Sequence, residues 1–152
     1  MSVGLATRID ARAPRFVATL TTVVLAAVLL TGSTWLLAAQ GAVFAVGAFA
    51  GLKASPYSQL YARLVRPRLG PPTELEDAAP PRFAQFVGLV FSLLALVAFA
   101  SGATVLGYVV VGAALAAAFL NAAFGFCLGC EIYLAYRRLV PSRPIPNTEV
   151  SP

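Results

Sequence analysis

Cys127 and Cys130 are the two cysteines of a 152-residue chain that contains no histidine. They stand in Phe124-Gly-Phe-Cys-Leu-Gly-Cys-Glu-Ile-Tyr133, where a long apolar run gives way to charge. Two sulfurs three residues apart meet across one turn of helix. That spacing suits a pair cycling between dithiol and disulfide, in which one thiolate attacks a partner's disulfide and the other resolves the mixed disulfide. Two other readings share the spacing. A tetrahedral metal needs four ligands, which this chain reaches only if two copies each contribute Cys127 and Cys130. Alternatively, the cysteines are small residues that pack well at a helix end.

The surroundings narrow the chemistry. Glu131, next to the pair, opposes ionisation of a thiol. Gln85 lies at the start of an apolar stretch on the same side and can approach the cysteines, although an amide at that depth more often bonds a neighbouring helix. Asn121 has the same ordinary reading, as do Gln40 and the run Thr19, Thr21, Thr22. Tyr133 falls on an apolar face with Ile132, Tyr136 and Val140, opposite Glu131, Arg137 and Arg138. No Asp, Glu, Lys or Arg interrupts the apolar stretches, so no proton or ion relay is visible and a pump or transporter is disfavoured. No cofactor is expected.

The elements that position these residues follow from composition. The chain is 59% hydrophobic and 11% charged, with a mean hydropathy of +0.83, which places it in the membrane class. Four apolar stretches run from Phe16 to Leu30, Trp35 to Leu52, Phe83 to Phe99 and Val105 to Phe126. A bilayer core takes roughly 20 apolar residues of helix, and lipid forces each stretch to close its own backbone hydrogen bonds. The expectation is an all-α membrane protein with four transmembrane helices, the first retained rather than cleaved as a signal.

The turns Thr31 to Thr34 and Ala100 to Thr104 are uncharged. All 11 basic residues lie in the other segments: Arg8, Arg12, Arg15, Lys53, Arg63, Arg66, Arg68, Arg82, Arg137, Arg138 and Arg143. Basic residues near span ends resist translocation, so both termini, the middle segment and both cysteines are expected on the cytoplasmic side of a multi-pass protein. Thiols there are kept reduced, and a disulfide is transient or catalytic rather than structural. The net charge of +5 is accounted for by topology and anionic membrane lipid, with no call for nucleic acid.

An internal repeat organises the chain. Asp10-Ala-Arg-Ala-Pro-Arg-Phe16 aligns with Asp77-Ala-Ala-Pro-Pro-Arg-Phe83 at an offset of 67, and Ser55-Pro-Tyr-Ser-Gln-Leu-Tyr61 with Cys127-Leu-Gly-Cys-Glu-Ile-Tyr133 at an offset of 72. The reading is two tandem helical hairpins in parallel orientation, each followed by a short amphipathic helix at the interface. The pseudo-repeats cover 10–66 and 77–140 of one membrane domain, 1–140. A Pro-rich linker, 66–82, is expected to be extended rather than folded, and 141–152 to be a disordered tail. Ser55 before Pro56 reads as a helix N-cap. By alignment Cys127 occupies the same place after Gly125 ends the fourth span, where the helix dipole favours thiolate. An unbroken helix would put Cys127 at a C-terminal end and reverse that effect.

These residues, from Asp10 with Pro14-Arg15-Phe16 through Ser55-Pro56-Tyr57 and Arg82-Phe83-Ala84-Gln85 to Gly125-Phe-Cys-Leu-Gly-Cys-Glu-Ile-Tyr133, resemble a bacterial membrane family. It is the domain-of-unknown-function family numbered four-three-nine-five. The resemblance runs from about Asp10 to Arg138 and implies a four-helix protein of the bacterial inner membrane. It also implies thioredoxin-like or sulfurtransferase-like (rhodanese-like) cytoplasmic partners for Cys127 and Cys130. The expected function is dithiol/disulfide exchange or sulfur relay, with Cys127 attacking, Cys130 resolving and Gln85, Glu131 and Tyr133 in support. The competing expectation is a non-catalytic membrane anchor for a soluble enzyme. A homo-oligomer is the assembly in which two copies could bring four sulfurs together.

Overall fold

A computed structural model describes residues 7–140. The expected tail, 141–152, and Arg143 within it lie outside the described residues. Three helices form the body: α1 (Ala13–Thr31), α5 (Ala79–Ala100) and α6 (Thr104–Phe124). They hold 19, 22 and 21 residues and are long and apolar enough to cross a membrane. At the usual rise per residue they measure about 28 to 33 Å, matching a bilayer core.

The second apolar stretch departs from expectation. Helix α2 (Thr34–Ala45) has 12 α-helical residues and continues through a 5-residue π-helical turn, Val46–Ala50. It stops at Gly51, whose φ of 101° no β-carbon-bearing residue adopts without strain. The helix therefore ends short of Leu52, and among the described residues three helices rather than four satisfy the length and composition of a span.

Next come a 3-10 turn (Leu52–Ala54), α3 (Pro56–Leu60), a second π-helical turn (Tyr61–Val65) and α4 (Arg66–Leu69). Strand β1 (Arg8–Asp10) pairs antiparallel with β2 (Leu75–Asp77), in the register Arg8↔Asp77, Ile9↔Glu76 and Asp10↔Leu75. Helix α7 (Leu128–Leu139) ends the described chain. The linker expected to be extended and unstructured is thus partly folded. Pro67 stands in the first turn of α4, directly after the π-helical turn, and β2 forms because the N-terminal segment supplies a partner strand.

The two ribbon strands start helices in the same way. The Asp10 carboxylate accepts the Arg12 N–H at 3.0 Å just before α1, and the Asp77 carboxylate accepts the Ala79 N–H at 3.0 Å at the start of α5. Both are Asx turns, and both helices carry proline in their first positions.

Helices α1 and α6 pack together, as do α2 and α5 and α5 and α6. The buried cluster of Leu25, Val28, Leu37, Ala95 and Val111 lies toward the uncharged turns, so the bundle is tightest there. Around it Leu30, Trp35, Leu94, Val97, Val105 and Val109 stay exposed. So much large apolar surface facing outward is expected of a molecule whose solvent is hydrocarbon.

Candidate functional site

The cysteines lie where α6 stops and α7 begins. Gly125, in the left-handed conformation at φ 69°, closes α6 by donating its N–H to Asn121 O at 2.9 Å. The backbone then extends, and Cys127 (φ −86°, ψ 99°) is the N-cap of α7, its Sγ accepting the Cys130 N–H at 3.3 Å. Helical bonding begins with Glu131 N–H donating to Cys127 O at 3.0 Å. The break on which the sequence reading depends is present. The two sulfurs lie at disulfide-bonding distance, with Cα atoms 5.2 Å apart.

Helix α7 rests on the start of α5. A β-carbon on Gly129 would lie 2.7 Å from the Ala84 Cβ and 2.8 Å from its Cα, so only glycine permits this approach. One turn on, Tyr133 meets Phe83 with ring centroids 5.7 Å apart, and the Arg137 guanidinium donates to the Tyr133 hydroxyl at 3.3 Å. Arg15 donates to Ala123 O at 3.4 Å, placing a cation where the last carbonyls of α6 carry partial negative charge. Glu131, Leu134, Tyr136 and Leu139 are exposed. The helix is fastened along one edge only.

Behind the cysteines the bundle opens into a cavity of about 700 Å³. Its lining includes Cys127 and Gly129, and Ala113, Ala114, Ala117 and Ala118 of α6. Gln85 and Asn121 also line it, as do Asp10 and the cations Arg8, Lys53 and Arg66. The structure thus brings Gln85 and Cys127 to one cavity. Gln85 makes no bond to a neighbouring helix through its carbonyl: Oε1 is buried without a partner, against Gly47 of the π-helical turn.

The segment that follows α2 is built differently. Ser55 precedes Pro56 in extended conformation, as an N-cap should, yet its hydroxyl is buried and unpartnered and does not cap α3. The expected capping bond is absent because the side chain turns into the protein, where it is 1% exposed. Tyr57 donates to Gln40 Oε1 at 2.7 Å, and Tyr61, 3% exposed, donates to Asp10 Oδ2 at 2.8 Å. Asp10 also binds the Arg12 guanidinium at 3.0 and 3.1 Å. Chiefly through the Arg12 hydrogen bond, its pKa falls to about 2. Arg82 donates to Ala48 O at 2.6 Å and Phe49 O at 3.0 Å at the end of the π-helical turn.

Sequence reasoning set the segment from Ser55 to Tyr61 at the membrane interface and had Gln40 bonding a neighbouring helix without naming Tyr57 as the partner. It missed the Asp10–Arg12–Tyr61 cluster. The only signal was a carboxylate two residues before an arginine, and the tyrosine 51 positions away could not be read from it.

Among the described residues no group of three or more His, Cys, Asp or Glu side chains comes together, so a metal held by Cys127 and Cys130 would need ligands from outside them. A family model described as a domain of unknown function, DUF4395, matches residues 9–138. No curated protein and no solved structure matches the chain.

Proposed function

The chain belongs to the DUF4395 family, and from that membership and the geometry around Cys127 we propose that it is a membrane thiol protein whose Cys127–Cys130 pair exchanges electrons with a thioredoxin-like or rhodanese-like cytoplasmic protein. One observation carries the reading: Cys127 caps the first turn of α7 with its sulfur already beside the sulfur of Cys130. When the pair is reduced, the positive end of the helix dipole and the Cys130 N–H stabilise a thiolate on Cys127. That thiolate attacks a partner's disulfide, and Cys130 displaces the partner from the mixed disulfide. Glu131 opposes the thiolate, but its exposure lets water screen it.

The reading includes a topology of four spans, with α2 and its π-helical turn as the shortest, arranged as two parallel hairpins. The matching Asx turns at Asp10 and Asp77 support it. So do the matching ring pairs, Phe16 with Tyr61 at 5.5 Å and Phe83 with Tyr133 at 5.7 Å. The ten basic residues within 7–140 and the sulfurs then face the cytoplasm of a bacterial inner membrane.

Trapping tests the exchange. Cys130→Ser cannot resolve, so a mixed disulfide between Cys127 and the partner should accumulate on non-reducing gels and disappear with Cys127→Ser. No adduct, together with ordinary alkylation rates for both thiols, defeats the proposal.

The anchor reading draws on Tyr136 and Leu139, exposed at 62% and 82% on α7. It expects partner binding to survive replacement of both cysteines by serine and to be lost when Tyr136 and Leu139 are made charged.

A further inference from the structure

A sulfur pair serving only a soluble partner has no need of an apolar chamber behind it. Here Cys127 belongs both to the surface turn and to the wall of the cavity of about 700 Å³, a size usual for sites holding small organic molecules. The chamber exists because α6 presents Ala113, Ala114, Ala117 and Ala118 on one face, where larger side chains would have filled the bundle. Polar groups share the lining with Cys127: the Gln85 and Asn121 amides and the cations Arg8, Lys53 and Arg66. Among the described residues Asp10 is the one carboxylate of the lining, and it is already held by Arg12 and Tyr61, so it offers no relay through the chamber.

We infer that the cavity binds a lipid-soluble quinone, its apolar tail along the alanine face and its ring beside Cys127, and that this quinone reoxidises the reduced pair. The inference rests on the thiol-exchange reading and adds the other half of the cycle. The S–H bonds of Cys127 and Cys130 break, and the sulfurs join in a disulfide. The two electrons and two protons released convert the quinone to a quinol with two new O–H bonds. The sulfurs are oxidised and the quinone reduced, so atoms and charge balance. Electrons then run from a soluble dithiol partner, through the pair, into the membrane. The side-chain amides of Gln85 and Asn121 provide N–H donors for the quinone oxygens. The cations of the lining favour the anionic thiolate and quinol forms that the transfer passes through. An anionic lipid would also suit these cations, but it would leave Cys127 in the lining without a role.

The experiment uses the full chain in lipid nanodiscs, with the pair reduced and excess reductant removed. The probe is decylubiquinone, whose fully substituted ring does not add thiols. The expected result is loss of quinone absorbance matching the return of the Cys127–Cys130 disulfide, measured by alkylation and mass spectrometry, and no reaction in Cys130→Ser. Ala117→Phe, which fills the chamber, should slow quinone reduction about tenfold or more, since the site depends on that volume. Its rate with the water-soluble reagent dithiobis(nitrobenzoate) should match wild type. Ala113→Leu, a smaller intrusion, should slow the quinone reaction by a lesser factor and serves if Ala117→Phe does not fold. A wild-type pair that reacts with the soluble reagent but forms no quinol overturns the quinone site and leaves thiol exchange standing. So does quinone reduction that neither filling variant slows. A reduced pair that reacts with neither overturns the thiol reading itself.

Discussion

The segments after α2 and after α6 occupy like positions at the basic end of the bundle, and they use their polar groups in opposite ways. After α2, Tyr57 reaches back to Gln40, and Tyr61 is clamped by Asp10, which Arg12 holds in turn. After α6, helix α7 has a glycine contact, one ring pair and an exposed outer face. The same lead-in, a chain break with an extended residue before a helix, holds a buried, silent hydroxyl at Ser55 and a half-buried sulfur at Cys127. One segment is fixed by side chains that reach far along the sequence, whereas the other keeps its reactive group at a lightly held edge. On the proposed exchange, such an edge would let a protein partner reach the sulfurs, because opening it disturbs few buried contacts.

The comparison breaks most decisively if the sulfurs are exchanged for hydroxyls. Cys127→Ser should abolish disulfide exchange in a trapping assay, whereas Ser55→Ala should leave it at wild-type level, because its hydroxyl caps nothing. The next largest effect belongs to Asp10. Asp10→Asn removes the charged acceptor of the Arg12 pair and weakens the bond from Tyr61, and should destabilise the protein by about 1–3 kcal/mol in thermal unfolding in detergent. Tyr133→Phe, at the corresponding ring pair, should stay within about 0.5 kcal/mol.

Acid sharpens the same contrast. The Asp10 pKa is depressed in the fold, to about 2 against the usual carboxylate value near 4. Its contribution to stability is therefore present above about pH 4 and is lost as pH falls toward about 2. Unfolding midpoints should drop through that interval in wild type and do so less in Asp10→Asn. Gly129→Val should push α7 off Ala84 and cost about 1–3 kcal/mol, an overpacking effect, with faster alkylation of the reduced pair as its signature. The smallest effect is expected at the exposed Arg137, whose removal should cost no more than about 0.5 kcal/mol.

Legibility in the sequence followed the range of the interactions. The apolar stretches, the stop at Gly125 and the placement of Cys127 before a helix are local properties of a few consecutive residues, and the structure has each of them. The early end of α2 at Gly51 is also local, but glycine is common throughout the apolar stretches, and only the backbone shows which one takes a positive φ. The ribbon of β1 and β2 was hidden because its strands are three residues long and separated by more than sixty positions, too short for any periodicity to show.

By itself the sequence determined the solvent of this protein, through its hydropathy, and the pairing of two sulfurs, through a spacing that one turn of helix closes. Tertiary structure decided what those sulfurs face. Whether alanines on α6 touch a neighbour or border an empty volume depends on how far apart α1, α5 and α6 settle. That separation is set by many contacts at once, such as Phe44 against Gly88 and the Leu25 cluster at the far end, none of which is encoded near Cys127.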